Sequence, residues 1–333
     1  MAVRTAAVIG CGDVSVVHFE AIDVVDDAEL VAVCDPDPGR RDAASRRYGV
    51  PGYATHTELL DAVRPDVVHV TTPHDQHVQA SVDALAAGVH VLQEKPVAHT
   101  LAEGARLVDA ASGTAAKIGI CFQNRYNASS EHLRRLLDSG ELGAVRGAYA
   151  SVVWTRSADY YRARPWRSTW RQAGGGLLIN QAIHTLDLVQ WFLGGVTAVS
   201  GHAATRRYGD VCEVEDTAEI LLTHPSGIQT AFYGSLTAPQ HRPVEIELDT
   251  EHAYVTSRQG LRVRWKDGRP REKHAERTAA SPGRSYWGVS HELLIRDFYA
   301  TLDDPEPFWI GPAEGMKSLE ILKEVYRQSG LDG

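Results

Sequence analysis

Residues 174–187, GGGLLINQAIHTLD, set three polar side chains in an otherwise apolar run: Asn180, His184 and Asp187. The helix-forming residues after the glycines, with a glycine stop signal beyond them, predict a helix over about 177–193. At 3.6 residues per turn, the three side chains fall within about 60° on one helix face. An imidazole titrates near neutral pH and can exchange a proton with a hydroxyl group. Because buried polar groups need partners, this face either meets satisfied core groups or lines a pocket.

A second motif, GCGDVS, stands at the first strand-to-helix junction. Gly10 permits the tight turn, and Gly12 lets the backbone approach a pyrophosphate at the helix N-terminus. Ser15 occupies the place of the third glycine of the dinucleotide fingerprint and is small enough for close helix packing. The residues of this loop predicted to contact a dinucleotide are Gly10, Gly12, Asp13 and Val14.

The second predicted strand ends at Asp35, 23 residues beyond Gly12. A carboxylate at this place accepts hydrogen bonds from both adenosine ribose hydroxyls and repels a 2′-phosphate. We therefore predict NAD as the cofactor in preference to NADP. Arg40 and Arg41 lie close by in the sequence and soften that preference.

The elements that must position these motifs alternate along the first third of the chain. Apolar strand patterns alternate with helical ones, which predicts βαβ units and a parallel sheet covered on both faces, a doubly wound α/β fold. Later, several alternating or apolar runs predict a mixed sheet, and two amphipathic helices close the chain. The outer face of that second sheet lacks covering helices in the sequence, so we expect homo-oligomerisation through it. The later strand patterns lie at 144–154, 217–224, 227–235, 244–250, 252–257 and 261–265, and the closing helices at 290–302 and 313–329.

Composition limits the classes of function. The 333 residues are 43% hydrophobic and 23% charged, which indicates a globular protein of two domains. A net charge of -9 without a basic tail argues against nucleic-acid partners. Four widely spaced cysteines without a CxxC pair predict reduced thiols in a cytoplasmic protein. The amino-terminal residues lack an apolar signal region and no run reaches about 20 apolar residues, so we expect neither export nor a membrane span.

Four motifs in this order, GCGDVS, TTPHDQH (71–77), GVHVLQEKP (88–96) and GGGLLINQAIHTLD, carry a family resemblance. Together they resemble the glucose-fructose oxidoreductase and inositol dehydrogenase (Gfo/Idh/MocA) family. The resemblance implies an NAD-binding Rossmann domain over 1–122 and a C-terminal α+β domain over 123–333. This second domain would have an open, mostly antiparallel sheet, bind substrate and form a homodimer or homotetramer. Most members oxidise or reduce one carbinol of a sugar or cyclitol with a nicotinamide cofactor.

The resemblance also implies catalytic roles for Lys95, His184 and Asn180. Lys95 follows a parallel strand, at the sheet edge where open α/β sheets bind ligands, and is expected to contact the reacting hydroxyl and stabilise the alkoxide. His184 matches the catalytic histidine of the family. Asn180 stands where many members have aspartate; it cannot raise the basicity of the histidine, but it can orient a hydroxyl. Asp187 is expected to orient neighbouring groups or to form an inter-domain hydrogen bond.

Further cofactor contacts are expected near the carboxyl ends of the Rossmann strands. Asn124, with Arg125, follows the last strand and is expected to reach the nicotinamide edge. His74 replaces an asparagine that is frequent in the family. No metal is expected at the polar helix face, because asparagine is a poor ligand and no cysteine or second histidine lies nearby. The residues predicted to complete the cofactor site are Thr71, Pro73, His77, Glu94, Lys95 and Asn124.

The stretch WTRSADYYRARPWRSTWRQ, residues 154–172, holds five arginines, three tryptophans and two tyrosines. Aromatic rings can cover the apolar face of a pyranose, and arginines can bind hydroxyls, carboxylates or phosphates. Packing between subunits or on the Rossmann domain explains any single residue nearly as well. We predict Arg156, Tyr161 and Trp166 as substrate contacts, together with Lys95, Asn180 and His184, and the arginines leave open a uronate or a nucleotide sugar.

The resulting hypothesis is an NAD-dependent dehydrogenase of a sugar, sugar derivative or cyclitol. A first alternative within the family keeps NAD bound and uses transient oxidation to cleave a glycosidic bond. A second alternative is a non-catalytic nucleotide-sensing regulator, although a sensor has no need of both Lys95 and His184.

Overall fold

The structure is a computed structural model that describes residues 3–25, 28–277 and 285–331, with side chains described from residue 289 in the last range. The chain divides into two compact units. One contains Met1–Gln123 and Thr278–Met316, and the other contains Asn124–Arg277 and Lys317–Gly333. The predicted boundary after residue 122 thus lies one residue from the first crossing, whereas the predicted second domain, 123–333, includes a segment that belongs to the first unit.

The first unit contains a six-stranded parallel sheet in the order β3-β2-β1-β4-β5-β6. This is the strand order of a dinucleotide-binding fold. Valines in β4 are fully buried, as expected for a parallel strand covered on both faces. The strands are β1 (Arg4–Ile9), β2 (Ala28–Cys34), β3 (Gly52–Tyr53), β4 (Val67–Val70), β5 (His90–Glu94) and β6 (Ile118–Cys121).

Eleven α-helices are described in the two units. Their bounds are α1 (Ser15–Val24), α2 (Pro38–Tyr48), α3 (His56–Val63), α4 (His77–Ala86), α5 (Leu101–Ser112), α6 (Ala128–Asp138), α7 (Ala158–Arg162), α8 (Trp170–Ala173), α9 (Ile183–Leu193), α10 (Ser285–Ala300) and α11 (Pro312–Gln328). The late helix α10 packs against α1 in the first unit. In the segment between α10 and α11, the carbonyl of Ile310 accepts a hydrogen bond of 2.8 Å from the amide of Ile120 in β6. These contacts explain why this late segment belongs to the first unit.

The second unit contains an eight-stranded sheet in the order β14-β13-β12-β11-β7-β10-β9-β8. All neighbouring strands are antiparallel except β7 and β10. One face of the sheet is buried and the other carries exposed side chains. Buried and exposed residues alternate along the whole of β13 and along β10 as far as Gly234. The strands are β7 (Val145–Val153), β8 (Ala198–Ala204), β9 (Thr217–Thr223), β10 (Gln229–Ser235), β11 (Glu245–Thr250), β12 (Ala253–Ser257), β13 (Leu261–Trp265) and β14 (Glu272–His274).

The predicted fold class is confirmed: a Rossmann parallel sheet is followed by a mostly antiparallel sheet. The two amphipathic helices predicted near the end of the chain correspond to α10 and α11. Within the described residues, none of the helices has the length and apolar character that a membrane crossing requires.

Candidate active site

The turn between β1 and α1 has the shape of a dinucleotide-binding loop. Gly10 has a φ of 98°, and a Cβ there would lie 2.8 Å from the backbone carbonyl of Thr71, so only glycine fits. A Cβ at Gly12, in contrast, would meet no described atom within 4 Å. Among the described residues no side chain caps α1 at Val14, and the Ser15 hydroxyl donates to the Gly12 carbonyl at 2.7 Å. The free helix N-terminus beside an open glycine fits a pyrophosphate.

Asp35 is tied to this loop by its carboxylate. One oxygen accepts the amide of Cys11 at 2.8 Å, and the other accepts the amide of Asp37 at 2.9 Å. Each carboxylate oxygen has a second lone pair, so hydrogen bonds to ribose hydroxyls remain available. The nearby Arg41 guanidinium donates to the backbone carbonyl of Asp35 at 3.4 Å. The geometry therefore fits the adenosine half of a dinucleotide.

Lys95 directly follows β5 and is half-buried. The side chain of Gln93 holds this strand end in place. Its Nε2 donates to the carbonyl of Val97 at 2.9 Å, and its Oε1 accepts the Ser81 hydroxyl at 2.8 Å. The backbone amide of Lys95 donates to the Glu94 carboxylate at 3.2 Å. The lysine thus extends from a fixed backbone position.

Glu94 is buried among histidines. Its Oε1 lies 3.2 Å from Nε2 of His18 and 3.1 Å from Nε2 of His291. Burial pushes the pKa of Glu94 up, but these two donors outweigh burial and hold the pKa well below its usual range. Glu94 is therefore an ionised carboxylate, and both its oxygens are engaged within the unit.

The hydrogen bonds behind Glu94 form a directed chain. Burial lowers the pKa values of His18 and His69, so both rings are neutral. A carboxylate only accepts, so His18 donates from Nε2 and must accept at Nδ1, which lies 2.8 Å from Nδ1 of His69. His69 then accepts at Nε2 from the Tyr299 hydroxyl, at 2.9 Å. We assign one direction to the whole chain, from Tyr299 to Glu94.

Around the next strand end, Thr71 is buried and its hydroxyl donates to the carbonyl of Ile9 at 3.2 Å. His77 is also buried, and its two ring nitrogens lie 2.9 Å from the carbonyls of Pro96 and Thr72. His77 therefore joins two loops, which favours a supporting role over direct contact with a cofactor. His74 is buried as well, and Pro73 is half-buried just before it.

In the second unit, the predicted helix over 177–193 begins with a π-helical turn, Leu178–Ala182, and continues as α9. The backbone at Gly176, just before this helix, lies very close to the backbone of Glu215. A Cβ at Gly176 would lie only 2.0 Å from the carbonyl oxygen of Glu215, so the position requires glycine. The wider turn changes the angle between Asn180 and His184 from the value expected for an α-helix. Both side chains are half-buried.

The carboxylate of Glu215 holds the start of this helix. It accepts the amides of Gly176 at 2.6 Å and Leu178 at 2.8 Å, and the Tyr326 hydroxyl at 2.8 Å. Burial raises the pKa of Glu215 to about 7, against the lowering effect of these donors. Glu215 thus fixes the backbone next to Asn180 and titrates close to neutral pH.

Asp187 does not share the half-buried face of Asn180 and His184. It is buried and paired with Arg125, whose Nε and Nη2 donate to its two oxygens at 2.9 and 2.6 Å. The Arg125 guanidinium also lies 5.2 Å from the ring centre of Trp191. The buried Asp187 binds the Arg125 guanidinium, which favours a structural role for Arg125 over contact with the nicotinamide edge. The bidentate geometry makes Asp187 a structural partner within the second unit.

The aromatic and basic stretch divides into core and half-buried parts. Tyr161 is 1% exposed and packs with Tyr208, Cys212 and Val214. This environment favours a packing role for Tyr161 over contact with a sugar. Arg156 and Trp166 are half-buried.

The remaining predicted residues lie in loops. Asp13 and Val14 are half-buried at the start of α1. Asn124 is half-buried in a single 3-10 turn after β6, and its carbonyl accepts the amide of Asn127 at 3.2 Å. Each therefore has a partly accessible side chain.

Sequence reasoning missed the partners of Glu94 and the helix-start carboxylate, Glu215. The residues around Glu94 come from α1, β4 and α10, so no local spacing joins them. Their only signal was a histidine in each of three otherwise apolar segments. The missed residues are His18, His69, His291, Tyr299 and Glu215.

Two sets of side chains have possible metal-ligating atoms within 4.8 Å of one another. In the first, His18 and Glu94 already bind each other. In the second, the Arg135 guanidinium donates to His132 at 3.2 Å, which disfavours a cation there. The sets are His18, Glu94 and Cys121, and His132, Glu272 and His274. We assign a metal to neither.

Comparisons with known proteins agree with this geometry. Residues 4–122 match the family model described as an oxidoreductase family with an NAD-binding Rossmann fold, and residues 130–256 match the GFO/IDH/MocA C-terminal domain. D-apiose dehydrogenase of Paraburkholderia graminis is 32% identical over 240 residues, which cover 71% of this chain and 61% of that protein. D-glucoside 3-dehydrogenase of Escherichia coli is 32% identical over 203 residues, covering 59% of this chain and 56% of that protein.

Among solved structures, the WlbA dehydrogenase from Bordetella pertussis, in complex with NADH and UDP-GlcNAcA, is similar over nearly its whole length. The TM-score is 0.86 and the sequence identity 28%, and the alignment covers 98% of this chain and 97% of that one. The similarity thus spans both units, whereas the matches to the two curated dehydrogenases cover less than two thirds of their lengths.

Proposed function

The chain belongs to the GFO/IDH/MocA family of oxidoreductases with an NAD-binding Rossmann fold, and from this membership we propose that it is a dehydrogenase of a sugar, sugar derivative or cyclitol. It would transfer a hydride between a secondary hydroxyl of the substrate and a nicotinamide cofactor. The dehydrogenase names of its relatives and the NADH in the WlbA complex support this proposal.

The observation that carries the proposal is the loop from Gly10 to Val14, with an open position at Gly12, a helix N-terminus that no described side chain caps, and Asp35 beside it. We assign the pyrophosphate to this loop and the adenosine ribose to Asp35, which favours NAD over NADP. Bound nicotinamide supplies the hydride acceptor for oxidation and the donor for reduction.

Removing a hydride from a secondary alcohol also requires a base for the hydroxyl proton and a positive group near the developing alkoxide. We assign the proton transfer to His184. Lys95, on the strand end fixed by Glu94 and Gln93, is assigned to alkoxide stabilisation. Asn180, one turn before His184, can orient a substrate hydroxyl by donating and accepting hydrogen bonds.

The first experiment mixes the purified protein with NAD and a panel of hexoses, glycosides, uronates, nucleotide sugars and cyclitols, and follows absorbance at 340 nm. The dehydrogenase predicts NADH with one substrate class. A glycoside-cleaving enzyme that retains NAD predicts product without net NADH, and a sensor predicts NAD binding without turnover. Either of these two results contradicts the proposal.

The role of Lys95 is tested with Lys95→Ala. We expect kcat/KM to fall by roughly 10²- to 10³-fold, as for the loss of one charge-stabilising group, while the NAD dissociation constant changes far less. Lys273→Ala, which removes an exposed lysine from β14, is the matched control and should leave both values unchanged. A Lys95→Ala protein that binds NAD normally and turns over at the parental rate would remove this mechanism.

A further inference from the structure

Arg156 extends from a fixed backbone position in the second unit. Its amide donates to the carbonyl of Leu236 at 2.8 Å, and its own carbonyl accepts the hydroxyl of the buried Tyr208. Its guanidinium carbon lies 5.1 Å from the ring centre of Trp154 and 5.2 Å from that of Tyr160. The Nε atom is buried and makes no hydrogen bond to any residue that the structure describes. A buried charged donor of this kind requires an acceptor.

A second guanidinium lies over the same tyrosine ring. The guanidinium carbon of Arg167 is 5.1 Å from the ring centre of Tyr160 and 5.4 Å from that of Trp166. The negative face of an aromatic ring attracts each cation, but the two cations repel each other. An anion bound by both guanidinium groups would remove that repulsion and satisfy the Arg156 Nε.

Tyr160 is fixed by the turn that carries the polar helix face. The side-chain amide of Gln181 donates to the Tyr160 hydroxyl at 2.6 Å. Gln181 is only 9% exposed, and its Oε1 has no hydrogen-bond partner within the described parts of the chain. Because Gln181 directly follows Asn180, the Tyr160 ring that both guanidinium groups approach is hydrogen-bonded to the same turn as a proposed substrate contact.

Charge in this stretch favours an anion. Residues 154–172 hold five arginines and one acidic residue, Asp159, in a chain whose net charge is -9. The Asp159 carboxylate forms an ion pair with Arg162 at 3.1 Å. Burial, and then the charge of Arg156, lower the pKa of His241, which stacks on Trp154. The stretch itself therefore carries a net positive charge.

We propose that Arg156 and Arg167 bind an oxyanion of the substrate, so that the enzyme acts on an anionic sugar. This inference rests on the proposed function. Guanidinium groups bind carboxylates and phosphates by the same paired hydrogen bonds, so the anion is the carboxylate of a uronate or a phosphate of a nucleotide-linked sugar.

The test is isothermal titration of the full-length protein with three probes: D-glucuronate, UDP-glucose and neutral D-glucose. For the wild type, we expect at least one anionic probe to bind 10-fold or more tightly than glucose. Arg156→Gln should weaken binding of that probe by 10-fold or more and should weaken glucose binding much less. Arg156→Lys, which keeps the charge but loses the planar fork, should fall between wild type and Arg156→Gln. Arg171→Gln removes an exposed arginine of the same stretch and should change binding by less than twofold.

Preference for glucuronate identifies a carboxylate, and preference for UDP-glucose identifies a phosphate; both support the inference. It is overturned if neither anionic probe binds more tightly than glucose, or if Arg156→Gln and Arg171→Gln weaken the anionic probe equally. A thermal unfolding midpoint within a few degrees of wild type shows that Arg156→Gln is folded. Because titration needs no turnover, anion binding without NADH formation would remove the proposed dehydrogenase and leave the anion site intact.

Discussion

At the scale of single residues, two buried carboxylates, Glu94 in the first unit and Glu215 in the second, have pKa values shifted in opposite directions. Two histidines hold the pKa of Glu94 well below its usual range, whereas burial raises the pKa of Glu215 to about 7. The donors to Glu94 are two histidine side chains, whereas the donors to Glu215 are two backbone amides and a tyrosine. Glu94 therefore keeps its charge behind Lys95, and Glu215 changes charge near neutral pH.

Asp35 carries a prediction about the cofactor. Asp35→Asn removes the negative charge that we expect to repel a 2′-phosphate, so the ratio of NADPH to NADH affinity should rise by roughly 10-fold or more. The fluorescence of each reduced cofactor, titrated with protein, gives the two dissociation constants. Arg40→Gln is the matched variant and should lower the same ratio, since it removes a nearby positive charge. An unchanged ratio in Asp35→Asn would contradict the assignment of the ribose to this carboxylate.

At the scale of elements, the π-helical turn Leu178–Ala182 is the part of the second unit that sets the proposed substrate face. It places Asn180 and Gln181 ahead of α9, while the following α-helical turns direct Asp187 into the interior. The Glu215 carboxylate accepts hydrogen bonds from the backbone amides of Gly176, just before this helix, and Leu178, its first residue. The titration of Glu215 therefore acts on the backbone that carries Asn180.

The pKa of Glu215 gives a pH dependence with a defined sign. Its folded value, about 7, exceeds the usual 4.5, so the folded state holds more protons between these pH values. The contribution of Glu215 to the free energy of unfolding is fully present below pH 4.5 and is lost as the pH rises through about 7. The total loss is about 3 kcal/mol at most. Glu215→Gln cannot titrate, and its stability should fall less over this range. Denaturant unfolding of both proteins at several pH values provides the measurement; parallel curves would contradict the raised pKa.

At the scale of the whole molecule, the eight-stranded sheet leaves one face exposed. Tyr149, Leu221 and Tyr233 are each between 37% and 41% exposed on neighbouring strands of that face. Large apolar side chains grouped in this way are typical of an interface. We propose that this face forms the homodimer or homotetramer predicted from the sequence.

Tyr233→Arg tests this interface. A charge at the centre of the face should convert the oligomer to a monomer, and light scattering after size exclusion should give the mass of one chain instead of two or four. Val24→Arg, at an exposed apolar residue of α1 in the first unit, is the control and should keep the wild-type mass. A wild-type protein that is itself monomeric would end the proposal.

The sequence predicted those features in which neighbouring residues act together. The glycine turn, Asp35 at the end of the next strand and the alternating patterns of both sheets depend on local spacing, and the structure confirms the fold that they predict. Tyr161 and His77 could not be interpreted in this way. An aromatic residue or a histidine has the same local pattern whether it faces a ligand or packs inside, so only its neighbours decide.

The sequence by itself determined the order of strands and helices, the dinucleotide loop and the polar side chains on the helix after the three glycines, because each depends on residues close together in the chain. Tertiary structure decided which of those side chains remain accessible. It paired Asp187 with Arg125 and left Asn180 and His184 half-buried. It also joined Glu94 to His18 and His291, which are 273 residues apart in the sequence. Long-range packing makes these choices, since a buried charge is stable only where distant elements bring it a partner.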